Sequence, residues 1–259
     1  MKLLLLLSFL TTPLWAKDVW TPPENPDPHV ILQEARDDAR NDKYETALAK
    51  HLWYHENALT YRPSQSGVRL SFALSYWLDL AEDYPTAMEA LLKVRAEAAD
   101  EIVSGTAPHQ LFADYVAFNR VLDKLDDTVK MFQRVHLKDP EFARRVFHYA
   151  KRALIAGKHY ELIRHYLDPD VDIAREIYSY RSGVARYKDR ERDADPQLLD
   201  YYNRHFTNEA ATLVAILTLA KENETAQRIA KQAKEVRNEP TLHKAIDEAL
   251  EGKVPEPFP

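Results

Sequence analysis

The sequence predicts an all-α chain, a right-handed α-solenoid of about five helical hairpins with a closing helix near 241–250. Three observations carry that expectation. Only five glycines occur in 259 residues, poor provision for the many tight turns of a sandwich or barrel. Away from the Pro-rich ends, the prolines fall at 63, 85, 108, 140, 169, 196 and 240, between stretches with helical apolar spacing. Finally, one short pattern recurs along the chain at intervals of 40 and then 41 residues.

Taken in order, residues 1–16 (MKLLLLLSFLTTPLWA) place Lys2 before an apolar run from Leu3 to Leu10, a break at Pro13 and a cut after Ala16. That is the order of a secretory signal peptide. The expected location is therefore outside the cytoplasm, periplasmic or extracellular once the leader is removed. The apolar run is far short of the about 20 residues a membrane span needs, and no later stretch approaches that length. Residues 17–28 are Pro-rich and expected to be extended, and residues 252–259 form a second Pro-rich tail. Between them lies the helical repeat region, 29–251.

Helix starts are marked by chemistry. Four prolines follow an aspartate, as Asp27-Pro28, Asp139-Pro140, Asp168-Pro169 and Asp195-Pro196. The carboxylate can accept from the first free N–H groups, and proline at the first helical position loses no bond it would have made. Residues 181–195 (RSGVARYKDRERDAD) mix both charges densely around Gly183 and read as an exposed loop or a frayed helix end, with a solvated connector preferred.

The recurring pattern is KYETALAKHLWY from Lys43, DYPTAMEALLKV from Asp83 and KLDDTVKMFQRV from Lys124. Each sets Tyr44, Tyr84 or Leu125 three residues before a small side chain, Ala47, Ala87 or Thr128. Further units start at Phe142 and at Thr207, the latter with Ala226 at the small position. A small residue there lets two antiparallel helices approach closely, and the apolar residues on either side need a neighbouring hairpin to cover them.

In this arrangement the chain resembles tetratricopeptide-repeat (TPR) proteins. The segment LDDTVKMFQRVHLKDP, residues 125–140, is the nearest match. The strings DVWTPPENPDP and KHLWYHENAL are also similar to an uncharacterised group of exported bacterial TPR-like proteins. The resemblance implies a scaffold or adaptor that binds a protein or peptide noncovalently on a concave face built from the first helix of each hairpin. Carried onto the first two units, the inward positions are His29, Leu32, Arg36, Ala39 and Arg40, then Arg69, Phe72, Tyr76, Asp79 and Leu80. The third and fourth units contribute Arg120, Arg144, Lys151, Leu154 and Ile155 among others. The binding candidates are Arg36, Arg40, Arg69, Tyr76, Arg120, Arg144 and Lys151. Such a surplus of guanidinium groups suits an acidic peptide or a C-terminus.

The net charge of −6 gives no support to nucleic-acid binding, which draws on surplus Lys and Arg. Cysteine is absent, so disulfides and thiolate chemistry are excluded. No nucleophile elbow, P-loop or dinucleotide fingerprint occurs. No cofactor is expected. His51 and His55 stand one helical turn apart with Glu56 beside them, a spacing two metal ligands can use, yet no third ligand accompanies them. His148, His159 and His165 could converge in the fourth unit, and Tyr178, Tyr180, Tyr201 and Tyr202 could pack between helices or offer a ligand platform. The alternatives to a peptide binder are an acid–base enzyme or glycan binder on a helical scaffold, marked by a buried carboxylate pair, and a purely structural subunit. Oligomeric state is not encoded in any of these features.

Overall fold

The computed structural model describes residues 20–189 and 195–258. The proposed leader, 1–16, lies outside the described residues. All regular structure among the described residues is helical, as thirteen α-helices and one 3-10 turn. No described helix is long and apolar enough to cross a membrane. The chain divides into two compact units, Met1–Glu97 and Ala98–Pro259.

In the first unit, residues 20–27 carry no helix. They are followed by α1 (Pro28–Arg40), α2 (Tyr44–Tyr61), a 3-10 turn at Pro63–Gln65, α3 (Ser66–Arg69), α4 (Phe72–Asp83) and the first turns of α5 (Pro85–Ser104). Helix α1 pairs with α2, and α4 packs on both. Ala47 and Ala87, the small residues of the first two repeats, are each 0% exposed. Tyr44 and Tyr84, three residues before them, stack with ring centroids 5.7 Å apart. The Trp77 indole N–H donates to the Ala87 carbonyl at 3.0 Å, so the close approach at Ala87 is also a hydrogen-bonded one.

The second unit holds α6 (His109–Val121), α7 (Leu125–Lys138), α8 (Pro140–Ala156), α9 (Tyr160–Arg164), α10 (Pro169–Asp189), α11 (Pro196–Leu219), α12 (Asn223–Val236) and α13 (Pro240–Leu250). One core gathers Phe112, Phe132, Val146 and Leu154 under α6, α7 and α8. A second gathers Phe206, Val214, Ile229 and Ile246 around α11. Thr128 and Ala226 are also 0% exposed. The Thr128 hydroxyl accepts from the Asn119 amide at 3.0 Å, which satisfies a polar side chain at a buried contact.

All four Asp-Pro pairs cap helices as their chemistry predicts. The carboxylates of Asp27, Asp139, Asp168 and Asp195 accept from the backbone N–H of His29, Phe142, Val171 and Gln197, at 2.9, 2.9, 3.2 and 2.9 Å. The turns after the first helices repeat too. Asp42, Asp123, Lys158 and Lys221 all have φ between 54° and 62°. At each, the next residue's N–H reaches back to a carbonyl five residues earlier: Lys43 to Asp38, Lys124 to Asn119, His159 to Leu154 and Glu222 to Leu217, at 2.7 to 2.9 Å. This is the Schellman arrangement, built here without glycine in the left-handed position.

Three ion pairs share a separation of 58 residues: Lys151 with Glu209, Arg164 with Glu222, and Asp170 with Arg228. A constant offset means that 151–170 and 209–228 run side by side in the same direction.

The expected charged loop near 181–195 needs correction: residues 181–189 take the helix-end alternative, as the last turns of α10, and 190–194 lie outside the described residues. At Gly183 α10 meets α11 closely: a β-carbon there would meet the Tyr202 ring at 2.7 Å. The fifth unit does not start at Thr207 either, because α11 already begins at Pro196 behind its Asp195 cap.

Candidate functional site

In the first unit, α1 and α4 bring six of the ten predicted inward positions to one cleft of about 190 Å³, namely Arg36, Ala39, Arg40, Tyr76, Asp79 and Leu80. Tyr44 and Asp83 complete its lining. The positions converge because they recur at helical spacing on two helices that touch, so each contributes one stripe. The Arg36 guanidinium lies 4.0 Å from the centre of the Tyr76 ring, a cation–π contact that holds both side chains in place. Arg40 pairs with Asp37 at 3.2 Å, both largely exposed. The Tyr44 hydroxyl donates to Asp42 at 2.8 Å, and that bond, with burial and the charges of Asp42 and Asp83, raises its pKa above the ordinary tyrosine value. The cleft therefore carries both signs, with Asp83 joining the expected Asp79 beside Arg36 and Arg40, so that the positive surplus expected of the whole groove is balanced here.

Arg69 is not on that surface. It is 8% exposed, and its Nε donates to the His55 carbonyl at 2.6 Å. The reason is a break in the helix. Helix α3 ends at Arg69, and Ser71 takes φ −133° and ψ −95°, so the helical register from Phe72 onward does not extend back to residue 69.

His51 and His55 flank Trp77, with ring centroids 6.1 and 6.2 Å from it. Burial pushes the His51 pKa down to about 4. Burial, aided by the nearby Arg69 charge, pushes that of His55 down to about 3. Both rings are neutral at physiological pH, and the Arg69 Nη2 lies 3.3 Å from His55 Nε2, where it would oppose a metal cation. Among the described residues no three His, Asp or Glu side chains gather as metal ligands. One ionic feature escaped sequence reasoning. Lys50 is 6% exposed and bonds both Asp38, at 2.7 Å, and Glu34, at 2.8 Å. Burial draws its pKa down, but the two carboxylates together outweigh burial and hold it above the ordinary lysine value.

The candidates of the second unit do not form one set. Arg120 is exposed, and partial enclosure together with the Arg152 charge lowers its pKa. Arg144 is exposed and lies 5.8 Å from the Tyr166 ring centre. Lys151 is half-buried and bonded to Glu209 at 2.5 Å. Leu154 and Ile155, expected to face a groove, are core residues instead. Beside Lys151, the Glu176 carboxyl is held above its usual range by burial and by the charge of Glu209, against the opposing pull of Lys151, His205 and Arg175. His148, His159 and His165 go to separate neighbours: Tyr149, the backbone at Gly157, and His136.

The tyrosine cluster divides by role. Tyr180 stacks on Phe206 and donates to Asn203 at 3.0 Å, and Tyr202 packs over Gly183. Tyr178 is exposed, while Tyr201 meets Phe258 at 5.4 Å. Residues 252–258 therefore touch α11, a contact no helical pattern in the sequence could announce. Comparison with family models, with curated proteins and with solved structures finds no match for this chain.

Proposed function

We propose that this chain is an exported, TPR-like α-solenoid that binds a protein or peptide noncovalently, with the cleft between α1 and α4 as a docking point for an acidic side chain. One observation carries the reading: six of the ten inward positions that the TPR resemblance implies for the first two units line a single cleft, with Arg36 against Tyr76 and Arg40 beside it. The recurring left-handed turns and the ion pairs of constant offset support a stack of hairpins. Export is supported by the order of Lys2, apolar run, Pro13 and Ala16. Because Asp79 and Asp83 share the cleft, attraction is local, between a ligand carboxylate and two guanidinium groups, and not a broad field.

An acid–base enzyme has one observation in its favour, the Glu176 carboxyl held up beside Glu209. Lys151 already neutralises Glu209, so the pair also has an ordinary structural explanation.

Selection of a displayed random-peptide library on the immobilised chain tests the binding reading. Enriched peptides should include a carboxylate-bearing class that loses binding to the Arg36→Ala, Arg40→Ala chain. Absence of such a class, or its indifference to both replacements, contradicts the reading.

A further inference from the structure

Residues 252–258 turn back onto the second unit and lie along α11. Gly252, at φ +84°, makes the turn: its N–H donates to Ala249 at 2.9 Å and that of Lys253 to Glu248 at 3.1 Å. A side chain there would be strained by that φ, and its β-carbon would also stand 3.2 Å from Leu219. Val254 then packs against both hydrophobic cores of the unit.

Beyond Val254 the sequence itself fixes the backbone. Val254, Glu256 and Phe258 each precede a proline, which disfavours helix, and Pro255 and Pro257 have φ set by their rings. The segment is extended before it meets anything, so little entropy is lost on docking. Its prolines have no N–H to leave unpaired, and two of its carbonyls are met by side chains. The Asn208 amide donates to the Glu256 carbonyl at 2.8 Å, and Arg152 from α8 donates to the Phe258 carbonyl at 3.4 Å. The Phe258 ring is boxed by Tyr201 at 5.4 Å, His205 at 5.3 Å and the Arg204 guanidinium at 6.0 Å. Glu256 is exposed, so the residue between the prolines is not read.

Amide and guanidinium donors on main-chain carbonyls, plus an aromatic box, form a reader of extended proline-rich chain. The hold is thin. Tyr201 remains 45% exposed with Phe258 against it. A cleft of about 640 Å³ lies open between the segment, α11 and α13, lined by Asn203, Thr207, Arg237 and Thr241 among others.

We propose that the α11 surface around Tyr201, His205 and Asn208 is a binding site for Pro-x-Pro-aromatic segments of a partner protein, which dock by displacing residues 254–258 from it. The proposal rests on the reading of the chain as a peptide binder but uses a surface separate from the Arg36 cleft. A short linker presents the resident segment at an effective concentration of order millimolar, so it masks the site from weak ligands and yields to a tighter or tethered one.

The test is fluorescence anisotropy of a labelled Lys-Val-Pro-Gln-Pro-Phe-Pro-amide probe, which carries no carboxylate for the first cleft, titrated with the full chain. Phe258→Ala should loosen the resident segment and tighten probe binding by about five- to tenfold, the release expected from an internal competitor. Adding Asn208→Ala or Tyr201→Ala to Phe258→Ala should remove that gain, with helical content and melting unchanged. Arg36→Ala with Arg40→Ala should leave probe affinity alone, which separates failure here from failure of the first cleft. Equal affinity for the wild-type and Phe258→Ala chains overturns the proposal, as does indifference to Asn208 and Tyr201. Self-association of the wild-type chain that Phe258→Ala abolishes would make a second copy the occupant, and would equally overturn it.

Discussion

At the scale of single residues, the two histidines beside Trp77 tie stability to pH. Their folded pKa values, about 4 for His51 and about 3 for His55, lie below the ordinary histidine value of 6.5. The unfolded chain therefore binds more protons below pH 6.5, and stability falls as pH drops toward the folded values. Between pH 7.5 and 5 each histidine should withdraw about 2 kcal/mol. Denaturant unfolding at the two pH values measures this, and His51→Leu should remove about half of the loss. A stability unchanged from pH 7.5 to 5 would show that the rings are not held neutral. The spacing of His51 and His55 was visible in the sequence, but their partners were not. Trp77 and Arg69 come from α4 and α3, and nothing local to HLWYHE announces them.

At the scale of elements, helix starts were legible and some helix ends were not. Proline and aspartate mark a start through local bonds, which sequence shows directly, and the small residues 47, 87, 128 and 226 mark contacts because only a small side chain fits there. The left-handed turns at Asp42, Asp123, Lys158 and Lys221 went unread because glycine, their usual signal, is missing. Arg69 was misplaced because a register argument runs straight through the break at Leu70 and Ser71. The dense charge of 181–189 suggested a loop or a frayed helix end, and α10 continues through it, with the Tyr202 ring packed over Gly183. A lysine in a left-handed turn carries a strain of about 1 kcal/mol, partly offset by the greater entropy glycine gives the unfolded chain. Lys158→Gly and Lys221→Gly should each stabilise by about 0.5 kcal/mol, whereas Lys158→Val should destabilise by more than about 1 kcal/mol. Midpoints of denaturant unfolding give the comparison, and a destabilising Lys158→Gly would contradict the turn geometry.

At the scale of the whole molecule, an acidic chain without cysteine relies on helical packing in two compact units, each of which holds one of the two proposed binding surfaces. The first surface was legible in part: Arg36, Arg40 and Tyr76 converge as the repeat register implies, while Asp79 and Asp83 temper the charge. The α11 surface was not legible, because what completes it is an irregular segment whose contacts no periodicity encodes. The central claim is noncovalent peptide binding through the α1–α4 cleft. Calorimetric titration of the wild-type and the Arg36→Ala, Arg40→Ala chains with one carboxylate-bearing peptide enriched on the wild type tests it most directly. Saturable one-to-one binding is expected, weakened at least about tenfold in the double variant, since charge-assisted bonds to two guanidinium groups contribute roughly 1.5 to 3 kcal/mol. Equal affinity for both chains, with the double variant folded and melting as the wild type does, would contradict it.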